Sequence, residues 1–138
     1  MSTIEVLVES FTFNRSRVLT LLDDIDQLEN PAEALGWRPG EGRAHIAWQL
    51  MHLGISEEIF ATEWLATTDE SPHRESWSRF RGGSTPDDEI PSSGEIRTVL
   101  ADGRQQLVDA LAGYDDSQLD DTIWHHPRMK VDLSLLNI

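Results

Sequence analysis

Residues 42–60, GRAHIAWQLMHLGISEEIF, form the densest apolar run in the chain, and the rest of the sequence is interpreted around them. Read as a helix, the run gives two adjoining stripes at helical spacing. The first stripe contains Ile46, Leu50, Leu53 and Phe60, and the second contains His45, Trp48, His52, Ile55 and Ile59. We therefore expect a helix that places His52 at the border of a packed core.

His52 is the best candidate for chemistry, and two interpretations of it are open. It is either a hydrogen-bonded core residue or a metal ligand aimed into a cavity of a helical bundle. One histidine does not make a metal site, since structural zinc sites take four ligands. His45 lies seven residues earlier, or about 10 Å away along a helix axis. We therefore do not expect the two histidines to hold the same ion.

Length and composition predict one soluble domain spanning residues 1–138. The chain is 38% hydrophobic and 26% charged, as ordinary globular proteins are. It contains no cysteine, which excludes disulfides, thiolate metal sites and a cysteine nucleophile. We expect a cytoplasmic protein, and any thiol chemistry would need a thiol supplied by a cofactor or a substrate.

The charge balance argues against two classes of partner. The formal net charge is −14, and only eleven Lys and Arg residues are spread along the chain. Nucleic acids and anionic membranes are bound by clustered basic side chains, so we expect neither partner. The sequence also lacks an apolar run of about 18 residues that would span a membrane, and its first residues do not form a secretory signal.

The first predicted helix starts at a capping box formed by Ser2 and Glu5. An apolar stripe with alternating spacings of three and four follows, which predicts a bundle helix of about 25 residues ending at Asn30-Pro31. The stripe contains Ile4, Leu7, Phe11, Asn14, Val18, Leu21, Ile25 and Leu28. Asn14 interrupts it. This asparagine either fixes the helix register or faces solvent, or it lines a polar pocket opposite His52.

The middle of the chain predicts two further helices joined by a long connection. Glycine and proline make residues 31–42 a loop, and the second helix is expected from about residue 43 to 65. Residues 66–91 are expected to be a crossover with a short helix ending near Phe80, or a lid over His52. A second capping box, Ser92 to Glu95, starts a third helix that ends near Gly113. Gly103 on its packed face predicts close approach of a neighbouring helix.

The last part of the chain predicts a surface turn and the beginning of a fourth helix. Adjacent histidines at 125 and 126 suggest a metal site, but consecutive residues rarely face one ion and Pro127 favours a turn. Residues 131–138 are expected to start a fourth helix, with Asp132 as its cap. A helix starting there would be truncated, so we expect an apolar groove that missing residues or a partner chain would cover.

The order of these elements resembles the DinB-like superfamily, which includes mycothiol-dependent maleylpyruvate isomerase and bacillithiol transferases. The similarity is carried by residues 36–40, GWRPG, by HIAWQLMHL at 45–53, and by Trp124. It implies an all-α four-helix bundle, up-up-down-down with a long crossover. It also implies zinc or nickel held by three histidines, one of which matches His52. The other two belong to a His-x-x-x-His pair on the fourth helix, which has no counterpart up to Ile138.

With this resemblance, the sequence predicts a metal-dependent enzyme that activates a low-molecular-weight thiol or water for transfer or hydrolysis. His52 would be a metal ligand, and Asn14, Trp48 and Ser56 would line the pocket for a small-molecule substrate. A homodimer is expected. One alternative is a non-catalytic dimeric bundle that acts as a binding or stress-response module, and another is a small-ligand carrier that uses the bundle interior without metal.

Overall fold

The computed structural model describes residues 1–137, and three long helices dominate it. Short helical segments and one β-hairpin connect and follow them. The α-helices are α1 (Thr3–Asp26), α2 (Pro31–Leu35), α3 (Ile46–Ile59), α4 (Trp77–Phe80) and α5 (Ser93–Leu111). A π-helical turn (Phe60–Trp64) continues α3, and 3₁₀ turns cover Arg74–Ser76, Asp116–Gln118 and Leu135–Asn137. The strands are β1 (Thr122–His126) and β2 (Val131–Ser134).

Both predicted capping signals start helices in the structure. The Ser2 hydroxyl accepts the Glu5 N–H at 3.1 Å, and the Glu5 carboxylate accepts the Ser2 N–H at 2.6 Å. At α5 the Ser92 hydroxyl accepts the Glu95 N–H at 3.1 Å. These contacts satisfy backbone donors that a helix leaves unpaired at its first turn. The first and third predicted helices are therefore confirmed.

The buried stripe of α1 differs from the predicted one at its centre. Asn14 is exposed, and Arg15 is 9% exposed. The Arg15 guanidinium donates to the Leu100 carbonyl at 2.6 Å and to the Glu57 carboxylate at 2.9 Å. A buried charge is tolerated when it is paired and hydrogen-bonded. The polar interruption of the stripe is therefore an arginine, and the prediction that Asn14 lines the pocket is wrong.

Close packing of α3 on α5 forms the centre of the molecule. A Cβ at Gly54 would lie 2.7 Å from the Val99 carbonyl oxygen, and one at Gly103 would clash with the Gly54 carbonyl. Only hydrogen fits at these two positions, which confirms the close approach predicted at Gly103. The largest core cluster, which includes Leu22, Met51, Ile55, Phe80, Ile96 and Leu100, surrounds this contact.

The end of the chain is a β-hairpin where the sequence analysis expected a turn and a helix. Strands β1 and β2 pair antiparallel, with His125 opposite Asp132. The His125 ring nitrogen Nδ1 lies 2.7 Å from the Asp132 carboxylate, so Asp132 does not cap a helix. Residues 131–134 alternate between apolar and polar side chains, a pattern that suits a strand. The predicted start of a fourth helix at 131–137 is therefore wrong.

The connection between α3 and α5 is a crossover, as predicted, and its short helical part covers residues 74–80. Trp77 and Phe80 are both buried and hold this segment against the core. Within residues 1–137, no helix is both long enough and apolar enough to cross a membrane. The fold is mostly helical, with a small two-stranded sheet at one end of the chain.

Candidate functional site

His52 is half-buried, and the crossover fixes the orientation of its ring. The ring nitrogen Nδ1 lies 2.7 Å from the Phe80 carbonyl oxygen. A carbonyl oxygen only accepts hydrogen bonds, so Nδ1 carries the proton and donates it. In the neutral ring, Nε2 then keeps a free lone pair. The local geometry therefore presents a basic nitrogen whose tautomer is set by the backbone.

Trp48 supports His52 from within the core. The two rings stack with centroids 4.9 Å apart and planes inclined by 10°. Trp48 is 9% exposed, and its indole N–H donates to the Arg79 carbonyl at 2.8 Å. Trp48 was predicted to line the pocket, but it is not among the residues that line the cavity beside His52. It contributes by holding the imidazole ring in place.

Ser56, the other residue predicted for the pocket, lies one helical turn after His52 and lines the same cavity. Its hydroxyl oxygen is 3.4 Å from Nδ1 and 3.5 Å from Nε2. An oxygen almost equidistant from the two nitrogens lies away from the in-plane lone pair of Nε2. Ser56 therefore leaves that lone pair free, and this geometry does not activate the serine as a nucleophile.

The cavity beside His52 has a volume of about 600 Å³, and we call it the His52 pocket. Its walls come from α3, the π-helical turn, the crossover and the hairpin. The lining residues are His52, Ser56, Ile59, Phe60, Glu63, Trp64, Arg81, Gly82, Gly83, Trp124, His126, Pro127 and Arg128. Pockets of this size accommodate small molecules. Because the crossover contributes residues 81–83, the segment considered as a lid forms part of the wall.

The π-helical turn shapes the side of the pocket that is lined by aromatic residues. Such turns are rare and occur frequently at functional sites. The Phe60 and Trp64 rings lie 4.4 Å apart, and Trp64 stacks on Trp124 of β1 with centroids also 4.4 Å apart. The Trp124 ring meets His126 edge-on at 5.2 Å. These contacts join the hairpin to the end of α3 and close one side of the pocket.

The two hairpin histidines have different surroundings. His126 lines the His52 pocket, and its Nδ1 accepts the Arg128 and Met129 backbone N–H groups at 3.2 and 3.1 Å. A neutral His126 therefore carries its proton on Nε2. His125 does not line the pocket and pairs instead with Asp132. Neighbouring residues of a strand point to opposite faces, which agrees with the expectation that these histidines do not share one ion.

His45 caps α3 and lies outside the His52 pocket. Its Nδ1 accepts the Trp48 N–H at 2.9 Å, and the ring is fully buried. Burial, followed by the positive charge of Arg38, lowers the pKa of His45 below its ordinary value of 6.5. His45 is therefore a neutral capping residue, and it does not join His52 in one site.

The donors for a metal are incomplete among the described residues. A catalytic zinc site uses three protein ligands and leaves one position open. Residues 1–137 contain no group of three or more His, Cys, Asp or Glu side chains that could hold a metal ion. His52 has a suitably oriented Nε2, since metal-bound histidines often donate their other N–H to a backbone carbonyl. The residues present therefore do not fit a zinc or nickel site by themselves.

Sequence reasoning missed most of the pocket wall. The π-helical turn, which presents Glu63 and Trp64, has no signature in the sequence. The hairpin residues His126 and Arg128 reach the pocket only because residues 131–134 form a strand. Their alternating pattern was the available signal.

Comparison with known proteins gives the family of the chain. No curated protein matches the sequence. The family model of the DinB superfamily matches residues 10–136, which include α3, the crossover and the hairpin. The match therefore spans the whole His52 pocket, and the chain belongs to the DinB superfamily.

Proposed function

We propose that the protein binds a small molecule in the His52 pocket and that His52 accepts a proton from a thiol or a water molecule there. The observation that carries this proposal is the Nδ1 contact with the Phe80 carbonyl at 2.7 Å. This contact fixes the ring and leaves the Nε2 lone pair available. A positioned base of this kind typically accelerates a reaction by about 100-fold to 10,000-fold.

The proposed reaction is nucleophilic attack on an electrophile. Nε2 of His52 takes the proton of the thiol S–H or of the water O–H as the sulfur or oxygen forms a bond to an electrophilic carbon. The bond from that carbon to its leaving group breaks, and the leaving group departs with the electron pair. The His52 imidazolium then gives the proton to the leaving group, or to water when the leaving group is a halide ion. The chain has no cysteine, so a reacting thiol belongs to a bound small molecule.

Binding of zinc or nickel by His52 would require further ligands. His52 would donate through Nε2, and a three-histidine site would require two donors beyond it. Residues 1–137 do not supply them as a group, so no step of the reaction is assigned to a metal. We also propose, without assigning them a role in the reaction, an up-up-down-down arrangement of the bundle and a cytoplasmic location. Residues 131–137 do not begin the fourth helix of such a bundle.

The test compares two histidine variants in thiol transfer and ester hydrolysis. Small thiols are supplied with a chromogenic nitroaryl halide, and water is tested with a nitrophenyl ester. His52→Gln is expected to lower the rate by about 100-fold or more, because it removes the base. His125→Gln is the matched control, since His125 lies outside the pocket, and it should leave the rate unchanged. Full activity in His52→Gln would contradict the proposal.

Metal content is measured on the same samples. About one equivalent of zinc or nickel, lost in His52→Ala but retained in His125→Ala, would show that donors beyond residues 1–137 complete a metal site. Unchanged metal content in His52→Ala would remove His52 from any such site.

The second candidate is a dimeric binding module without catalysis, and one surface of α1 favours it. Val6, Phe13 and Leu21 of α1 are all about half exposed or more, with Phe13 at 63%. At 100° per residue they fall within about 80° of the helix circumference. An apolar stripe of this kind suits a second copy of the chain. Sedimentation of wild type and Phe13→Asp tests it: a dimer that dissociates in the variant supports this candidate, and a wild-type monomer removes it.

A further inference from the structure

The His52 pocket differs in charge from the rest of the chain. The whole sequence has 25 acidic residues and 11 Lys and Arg residues. The pocket lining reverses this ratio, because it contains two arginines, Arg81 and Arg128, and one carboxylate, Glu63. Charges that line a concave surface concentrate the local potential. An anion that enters the His52 pocket would therefore meet positive charge, although the protein as a whole is strongly acidic.

The two arginines are not equivalent. Arg81 lies 3.4 Å from the Glu63 carboxylate, so its charge is already compensated. The Arg128 side chain has no ion pair or hydrogen bond within residues 1–137. Its guanidinium lies over Gly83, where an added Cβ would be 3.7 Å from the Nη1 nitrogen. Gly83 has a φ of +88°, which favours glycine, and the bare backbone leaves space for the arginine.

His126 adds a second donor on the same side of the pocket. Because its Nδ1 accepts the Arg128 and Met129 backbone N–H groups, the Nε2–H of the neutral ring is left to donate. The Lys130 N–H donates to the His126 carbonyl at 2.7 Å and closes the hairpin loop. The loop thus holds the His126 ring against the Arg128 backbone, and both residues line the pocket. A guanidinium beside an N–H donor matches the two oxygens of a carboxylate.

The aromatic wall next to these donors suits the remainder of a ligand. Trp124 stacks on Trp64 with planes inclined by 13°, and it forms a T-shaped pair with the His126 ring. Aromatic rings of this kind bind planar or apolar groups by stacking. Trp124, which forms half of this wall, lies on the same hairpin as the two donors. They therefore select a molecule that has an apolar body and an anionic end.

We infer that the small molecule bound in the His52 pocket carries a carboxylate, which Arg128 and His126 hold while its apolar part lies on the Trp64–Trp124 wall. This inference rests on the proposed function, since it names the substrate class for the same pocket. Arg81, which is paired with Glu63, plays a smaller part in the binding. The hairpin is thereby the element that selects the substrate, and α3 supplies the base.

The test uses a matched pair of probes, phenylpropanoate and its uncharged analogue phenylpropanamide, with binding measured by calorimetry. Wild type is expected to bind the carboxylate about tenfold or more tightly than the amide, since charged hydrogen bonds are the strong ones. Arg128→Gln should remove this preference and leave amide binding unchanged. Arg17→Gln is the matched control, because Arg17 is exposed on α1 and outside the pocket, and it should keep the preference.

Three outcomes would overturn the inference. These are equal binding of the two probes by wild type, a carboxylate preference that survives in Arg128→Gln, and the absence of binding by either probe at millimolar concentration. The proposed function fails by a different result, namely full activity of His52→Gln with thiol or water. A protein that needs His52 for activity but shows no carboxylate preference would therefore retain the proposed function and lose only this inference.

Discussion

The two faces of α3 show how one helix serves both stability and a binding site. Gly54 and Glu57 face the packed helices, and His52 and Ser56 face the pocket about 150° away at 100° per residue. The packed face has space only for hydrogen at Gly54. The opposite face borders a cavity of about 600 Å³.

The site therefore depends on elements outside the helical core. Helices α1 and α5 cover the core face and contribute Arg15, Arg104 and Gly103 to the contact. Among residues 1–137, the pocket face is enclosed by the π-helical turn, the crossover and the hairpin. We therefore expect changes on the core face to act on the stability of the whole fold. Changes on the pocket face should act on binding and cost little stability.

The largest expected effect comes from breaking the ion network behind α3. One Glu57 oxygen accepts Arg15 at 2.9 Å and Arg104 at 2.7 Å. Glu57→Leu would leave both guanidinium groups without their carboxylate partner, which typically costs about 3–5 kcal/mol for a buried pair. Urea denaturation measures the free energy of unfolding. Glu63→Leu, which breaks an exposed pair, is the control and should change it by less than about 1 kcal/mol.

A somewhat smaller effect is expected where α3 touches α5. Gly103→Ala places a Cβ against the Gly54 carbonyl, so the helices must separate. Overpacking of this kind costs about 1–3 kcal/mol. Gly94→Ala is the matched control in the same helix, because its Cβ would meet no atom closer than 3.9 Å. Equal thermal stability of the two variants would contradict the close packing.

On the pocket side, Trp124→Ala should separate binding from stability. It removes the stack on Trp64, and such an aromatic pair is worth about 0.5–1.5 kcal/mol beyond its buried area. The far-ultraviolet signal of the helices should remain, and binding of phenylpropanoate should weaken. Trp37→Ala removes a tryptophan that is 59% exposed and serves as the control. Loss of the helical signal in Trp124→Ala would show that the hairpin belongs to the core.

The smallest expected effect is a pH dependence at the start of α3. Because the pKa of His45 lies below 6.5 in the folded state, the unfolded chain binds more protons as pH falls through 6.5. Stability should therefore decrease over that range and level off below the folded pKa. His45→Asn keeps a capping side chain and removes the titration, so the decrease should be smaller.

The control for this pH dependence is His125→Asn, which removes an exposed histidine and should preserve the decrease. An identical pH dependence in His45→Asn and wild type would show that His45 does not control it.

The success of the sequence predictions differs between the packed face and the pocket face of α3. Periodicity located the three long helices, and the serine caps located the starts of α1 and α5, because these features are local. Periodicity placed Asn14 in the stripe, but burial of Arg15 depends on partners 42 and 85 residues away. The spacing of residues within one helix does not identify such distant partners.

The pocket was harder to predict because its wall combines separate parts of the chain. His52 and Ser56 were found, since they share one helix face. Arg81 and Arg128 enter through the crossover and the hairpin. Asp132 as a possible cap led residues 131–138 to be interpreted as the start of a helix, and that interpretation hid the alternating pattern of the strand at 131–134.

The central claim is that His52 presents an unprotonated Nε2 to the pocket because Nδ1 donates to the Phe80 carbonyl. Long-range proton–nitrogen NMR of protein labelled with ¹⁵N at histidine, recorded at a pH where the ring is neutral and assigned with His52→Gln, tests it directly. We expect the Nδ1–H tautomer at His52. An Nε2–H tautomer would contradict it, because the nitrogen that faces the ligand would then carry no free lone pair.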